Sequence, residues 1–184
     1  SGARAGSRIS TCILRASSEA MPRGRRGGFA THWQVMGQGP RACLAIHCSL
    51  AHAGVWAGVA RALAEHMTVT AFDLPGHGQS GPWEGRGEIQ AVSTAMAADL
   101  LDGPADILGH SFGATVALRL AVEHPALVRS LCLYEPVFFA VALADRPEMR
   151  PEHEAEMAEY RAGMAAGDGA RAARGHPLGP SRKA

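Results

Sequence analysis

The sequence carries almost no net charge: 18 basic residues against 17 acidic ones leave +1. That is too little to recruit a nucleic acid or another strongly charged partner across the whole chain. Long apolar runs are also lacking near the start. Residues 1–30 hold Arg4, Arg8, Arg15, Arg23, Arg25 and Arg26 against the single acid Glu19, so neither a secretory signal core nor a membrane span is predicted. The four cysteines, Cys12, Cys43, Cys48 and Cys132, lack the spacing of metal ligands, and an extended segment holds Cys43 and Cys48 too far apart to bridge. They read as reduced, mostly buried thiols of a cytoplasmic protein. His153-Glu154 opens a metalloprotease-like pattern, but Met157 stands where the second histidine is required. No metal, no cofactor and no internal repeat is predicted.

What is present suits one soluble domain: 184 residues, 47% hydrophobic and 19% charged, enough to bury a core. The basic leader over residues 1–30 reads as a disordered extension, with an organelle transit peptide as the alternative and Met21 as a candidate natural start. A short strand is expected over residues 32–35, and the run Ala42-Cys43-Leu44-Ala45-Ile46 reads as a buried strand. Trp56, Val59, Ala60 and Leu63 recur at helical spacing before a second apolar run over residues 67–72. Val92, Met96 and Leu100 mark a second helix, residues 105–108 a third strand, and a third helix runs from Phe112 until Pro125 ends it. Residues 127–134 make a fourth buried strand. Strands and helices alternating at these lengths predict an α/β class with a mostly parallel, doubly wound sheet.

Beyond the core, assigned to residues 31–145, a lid-like helix is expected over 146–166, beginning near Pro151 with Met157, Tyr160 and Met164 on one face. Residues 167–184 are rich in Gly, Pro and Arg and predict a disordered tail.

Gly109-His110-Ser111-Phe112-Gly113 fits G-x-S-x-G between an expected strand and an expected helix, the setting of a nucleophile elbow. A sharp turn there pushes Ser111 out over the strand ends, and the small flanking residues let neighbouring elements approach. Asp73-Leu74-Pro75-Gly76-His77-Gly78-Gln79-Ser80 forms a tight loop after the second buried strand, and His47-Cys48-Ser49 ends the first. With Trp56 beyond them, these stretches resemble the α/β-hydrolase superfamily over residues 31–136. The resemblance implies Ser111 as nucleophile in acyl transfer from a small-molecule ester or similar carbonyl. It implies backbone N–H donors of Ser49 and Phe112 as an oxyanion hole, His47 as an orienter of its loop, and Gly109, Gly113, Asp73, Gly76 and Gly78 as structural residues of elbow and loops.

A serine hydroxyl needs a base, and the resemblance implies a histidine late in the chain. The residues after Ser111 are taken up by a helix, a strand and the lid, so the sequence predicts that the last strands and their histidine are missing. Glu135 at the end of the fourth strand is the candidate acid. His176 in the tail and His153 on the lid helix are the candidate bases, while the elbow is expected to turn His110 away from Ser111. The strand over 127–134 would then be a sheet edge, favouring self-association. Two functions remain open: an esterase-like hydrolase, or a truncated, catalytically inactive fragment serving as a binding scaffold.

Overall fold

The computed structural model describes residues 22–166. Among the described residues six strands and five helices follow in the order β1 (Arg23–Arg26), β2 (Phe29–Met36), β3 (Arg41–Ile46), α1 (Ala57–Ala62), β4 (Met67–Phe72), α2 (Ile89–Ala98), β5 (Ala105–His110), α3 (Phe112–Glu123), β6 (Val128–Tyr134), α4 (Phe139–Asp145) and α5 (Arg150–Ala165). They build one sheet in the order β1-β2-β4-β3-β5-β6. The pairs β4–β3, β3–β5 and β5–β6 are parallel, whereas β1–β2 and β2–β4 are antiparallel. The α/β class with a mostly parallel sheet is therefore the one the alternation of apolar runs predicts.

Two differences from the sequence reading concern the ends. The basic leader does not extend unstructured to Ala30, because Arg23–Arg26 pair with β2 in a hairpin. That strand carries no apolar pattern: its pairing uses backbone groups, Arg26 lies 4.4 Å over the Trp33 ring, and Asp99 accepts from the Gly27 N–H at 2.9 Å. A charged, solvent-facing strand is a physically sound edge. Helix α4 was not expected at all. Cys12, Met21, His176 and the tail over 167–184 lie outside the described residues.

The sheet centre is buried on both faces because alternate residues of β3 point opposite ways. Leu44 and Ile46 join Phe72, Ile107, Met96, Val116 and Leu120 in the larger core cluster under α2 and α3. Cys43 and Ala45 face the other way, with Val69, Ala71, Ala53 and Ala60 under α1. At the amino ends of the parallel strands, Asp106 ties three of them together. It accepts from Arg41 Nη2 at 2.8 Å, Arg129 Nη2 at 2.8 Å and Ser130 Oγ at 2.7 Å. The Arg129 hydrogen bonds, above all, hold its carboxyl well below the usual carboxylate range. At the other edge of the sheet, β6 has β5 as its described neighbour and exposes Tyr134 and Cys132, so the strand expected there to be buried has no buried residue.

All three parallel neighbours of the site, β3, β4 and β5, present their carboxyl ends on one side, where Ser111 and the loops at His47 and Asp73 gather. Helix α3 reaches that side only because Gly113 has no side chain: a Cβ there would lie 2.3 Å from the Ile46 carbonyl oxygen and 2.5 Å from that of His47. Gly109 is equally confined, since its Cβ would meet the Ala114 Cα at 2.6 Å. Gly113→Ala must force backbone apart, and a loss of about 2–3 kcal/mol is expected by urea unfolding. Gly58→Ala, in α1 with nothing within 4 Å of the added Cβ, should instead hold or raise stability by up to about 1 kcal/mol. Equal midpoints for the two variants would contradict the close-approach account.

Candidate active site

Ser111 occupies the turn between β5 and α3 with φ 53° and ψ −114°, a conformation that side-chain-bearing residues rarely adopt. The turn is held from both ends. The Ser111 N–H donates to the Tyr134 carbonyl at 2.9 Å, and its own carbonyl accepts from the Ala114 N–H at 3.0 Å. Its side chain stands at the junction of two hollows. The larger, about 550 Å³, is lined by Ser49, Leu50, Phe112, Phe138, Met157 and Tyr160 among others. The smaller, about 400 Å³, is lined by Cys48, Ser49, His110, Ser111, Glu135 and Val137.

The two amides expected as oxyanion donors both belong to residues on the wall of the larger hollow. Phe112 is the first residue of α3, where a backbone N–H has no carbonyl one turn back in the helix. Its position also carries the positive end of the helix dipole. Ser49 follows His47, whose buried ring fixes the loop. The His47 Nδ1–H donates to the Cys48 carbonyl at 2.7 Å, and Nε2 accepts from the Leu74 N–H at 3.0 Å. These two bonds demand the neutral ring, and burial pushes its pKa down to about 4.

Asp73 is the anchor beneath both loops. Its carboxylate accepts from the Ala53 N–H at 2.7 Å, the Gln79 N–H at 2.8 Å and His32 Nδ1 at 2.7 Å. Burial would raise its pKa, but the two amides and His32 outweigh this and hold it below the ordinary value. Gly78, at φ 51°, is required beside it, because a Cβ would lie 2.2 Å from Asp73 Oδ2. Gly76, at φ 74°, turns the same loop.

The candidate acid and bases are separated. Glu135, at φ 48° just after β6, lines the smaller hollow, and its Oε2 lies 3.8 Å from His110 Nε2. His110 also packs its ring on Tyr134, 4.9 Å between centroids. His110 thus shares the smaller hollow with Ser111, although no hydrogen bond joins them. His153 lines the larger hollow from α5 and stacks on Phe139 with centroids 4.6 Å apart. Among the described residues no hydrogen bond holds the Ser111 hydroxyl, and His176 lies outside them. The sequence reading missed Phe138 and Phe139 on the cavity wall; the apolar run after Pro136 was the available signal. It also gave no role to His77, which lines the larger hollow. No group of His, Cys, Asp and Glu among the described residues is placed to hold a metal ion.

Comparison with known proteins agrees with this fold. Residues 44–166 match a family model described as alpha/beta hydrolase fold. The chain is similar to a pimeloyl-(acyl-carrier protein) methyl ester esterase of Neisseria meningitidis serogroup C, at 50% identity over 80 residues, covering 44% of this chain and 30% of that relative. Lipase LipV of Mycobacterium tuberculosis is 43% identical over 108 residues, covering 57% of this chain and 40% of the relative. The crystal structure of an alpha/beta hydrolase fold protein from Burkholderia ambifaria superposes with a TM-score of 0.58 at 25% identity, covering 76% of this chain and 52% of that one. The aligned stretches thus span well under two thirds of each relative.

The neutral ring of His47 has a measurable consequence. Its pKa lies near 4 in the folded chain against an ordinary value of 6.5, so between those values the unfolded chain binds more protons and stability falls as pH drops. From pH 7 to pH 5, above the range where most carboxylates titrate, this group should remove about 2 kcal/mol. Urea unfolding at pH 7, 6 and 5 measures it, and a flat profile would show that His47 does not resist protonation.

Proposed function

Because the chain belongs to the α/β-hydrolase fold family, we propose that it is a serine hydrolase of small-molecule acyl esters, with Ser111 as nucleophile. The single observation that carries this is the backbone of Ser111 at φ 53° on the wall of a cavity that Ser49 and Phe112 also line. In the proposed reaction the Ser111 Oγ attacks the ester carbonyl and its proton passes to a base. The carbonyl oxygen becomes an oxyanion accepting from the Ser49 and Phe112 N–H groups. Collapse expels the alcohol, and water then releases the acid from the acyl-serine. Leu50, Ile89, Phe138, Phe139 and Met157 make the larger hollow the apolar acyl side.

His153 is the candidate base on the wall of that cavity, with His176 as the other. Glu135, the candidate acid, lines a different hollow from His153, so the two do not form an acid–base pair. No cofactor is invoked. The similar esterase and lipase support the ester assignment. Among the described residues no helix is long and apolar enough to cross a membrane. Free thiols at Cys43, Cys48 and Cys132 support a reducing, cytoplasmic setting.

A second reading, binding without turnover, draws on the unbonded Ser111 hydroxyl. Hydrolysis of p-nitrophenyl butyrate by the 184-residue chain separates the two. The esterase reading expects turnover that Ser111→Ala lowers at least about a hundredfold and that His153→Asn lowers if His153 is the base. No turnover by the chain above the uncatalysed rate, as in Ser111→Ala, would leave the binding reading.

A further inference from the structure

The two loops that leave β3 and β4 exchange histidine contacts. The strands are parallel neighbours with Ile46 opposite Phe72, so residues 47–50 and 73–77 emerge side by side. From the first loop, His47 Nε2 accepts the Leu74 N–H of the second at 3.0 Å. From the second, His77 Nε2 accepts the Leu50 N–H of the first at 3.3 Å. Each ring gives its remaining proton to a carbonyl of its own loop, His47 to Cys48 at 2.7 Å and His77 to Pro75 at 2.9 Å. The two rings lie 5.3 Å apart between centroids.

These bonds fall on two successive peptide planes. The Cys48 carbonyl and the Ser49 N–H belong to one trans peptide unit and point in opposite directions. Fixing that carbonyl with His47 therefore fixes the direction of the Ser49 N–H. The Leu50 N–H belongs to the next plane, and His77 holds it. Ser49 is thus bracketed by two imidazoles, one on each side of its Cα. The second bond has a further load: Leu50 sits at φ 65°, which costs a side-chain-bearing residue conformational energy, and the residue is 69% exposed, so little packing holds it there.

We propose that His77 is a positioning residue for the oxyanion hole, holding the Ser49–Leu50 peptide so that the Ser49 N–H stays aimed at the reacting carbonyl. This rests on the reading of Ser49 as an oxyanion donor. His77 does not take the Ser111 proton: its Nδ1–H is committed to Pro75 and its Nε2 lone pair to Leu50.

Two substitutions separate positioning from general packing. Asparagine places its amide near the Nδ1 position, keeping a donor for Pro75 and losing the acceptor for Leu50. Glutamine reaches the Nε2 position with a carbonyl oxygen and restores that acceptor. In the full chain, His77→Asn should speed exchange of the Leu50 amide about tenfold or more by NMR. With p-nitrophenyl butyrate it should lower kcat about 10- to 100-fold, with KM within about threefold, because the donor acts mainly in the transition state. His77→Gln should return both readouts toward the unsubstituted chain. Unchanged Leu50 exchange in His77→Asn would overturn the clasp, and faster exchange with unchanged kcat would overturn the positioning role. An unsubstituted chain without turnover would count against the esterase reading, while Leu50 exchange would still decide whether the clasp exists.

Discussion

The contact on which the rest of this structure depends is the backbone approach of α3 to the end of β3, made where Gly113 meets the carbonyls of Ile46 and His47. It sets the angle at which the chain turns from β5 into α3, and so the left-handed backbone of Ser111. Holding such a residue there costs on the order of 1–3 kcal/mol. Val116 and Leu120, fully buried against the sheet by the same helix, each contribute about 1.5–3 kcal/mol. The core under α3 therefore offsets the strain of the elbow, and a mobile helix would let the turn relax.

The second constraint is electrostatic. Asp73 is almost fully buried, yet it stays below the usual carboxylate range because two backbone amides and His32 meet it. It links β2, the segment after Ser49 and the Gly78 turn. It secures the loops from below, while the His47 and His77 bonds secure them from above. Two sequence-distant loops thereby line one cavity together with residues of α4 and α5.

Much of this was legible in the sequence, for identifiable reasons. The strands β3 to β5 are short apolar runs, and a run buried on both faces needs no subtle pattern to be seen. Ser111 was legible because G-x-S-x-G falls between a strand and a helix, where the glycines have a steric reason to exist. Strand β1 was not, since Arg23–Arg26 is held by backbone pairing and by Arg26 on Trp33 rather than by apolar alternation. The role of His77 was hidden for another reason: its partner Leu50 is 27 residues away, and only the parallel pairing of β3 with β4 brings them together. Glu135 and His153 were chosen by position along the chain, and the fold sends them to different hollows.

The central claim is that the folded elbow makes Ser111 a nucleophile facing an oxyanion-binding wall. Its most direct test is covalent labelling with a fluorophosphonate ester, followed by peptide mass mapping of native and heat-unfolded chain. The account predicts phosphonylation of the peptide carrying Ser111 in the native chain, with loss of fluoride, and none after unfolding. Equal labelling of native and unfolded chain, or modification at other serines with Ser111 untouched, would contradict it.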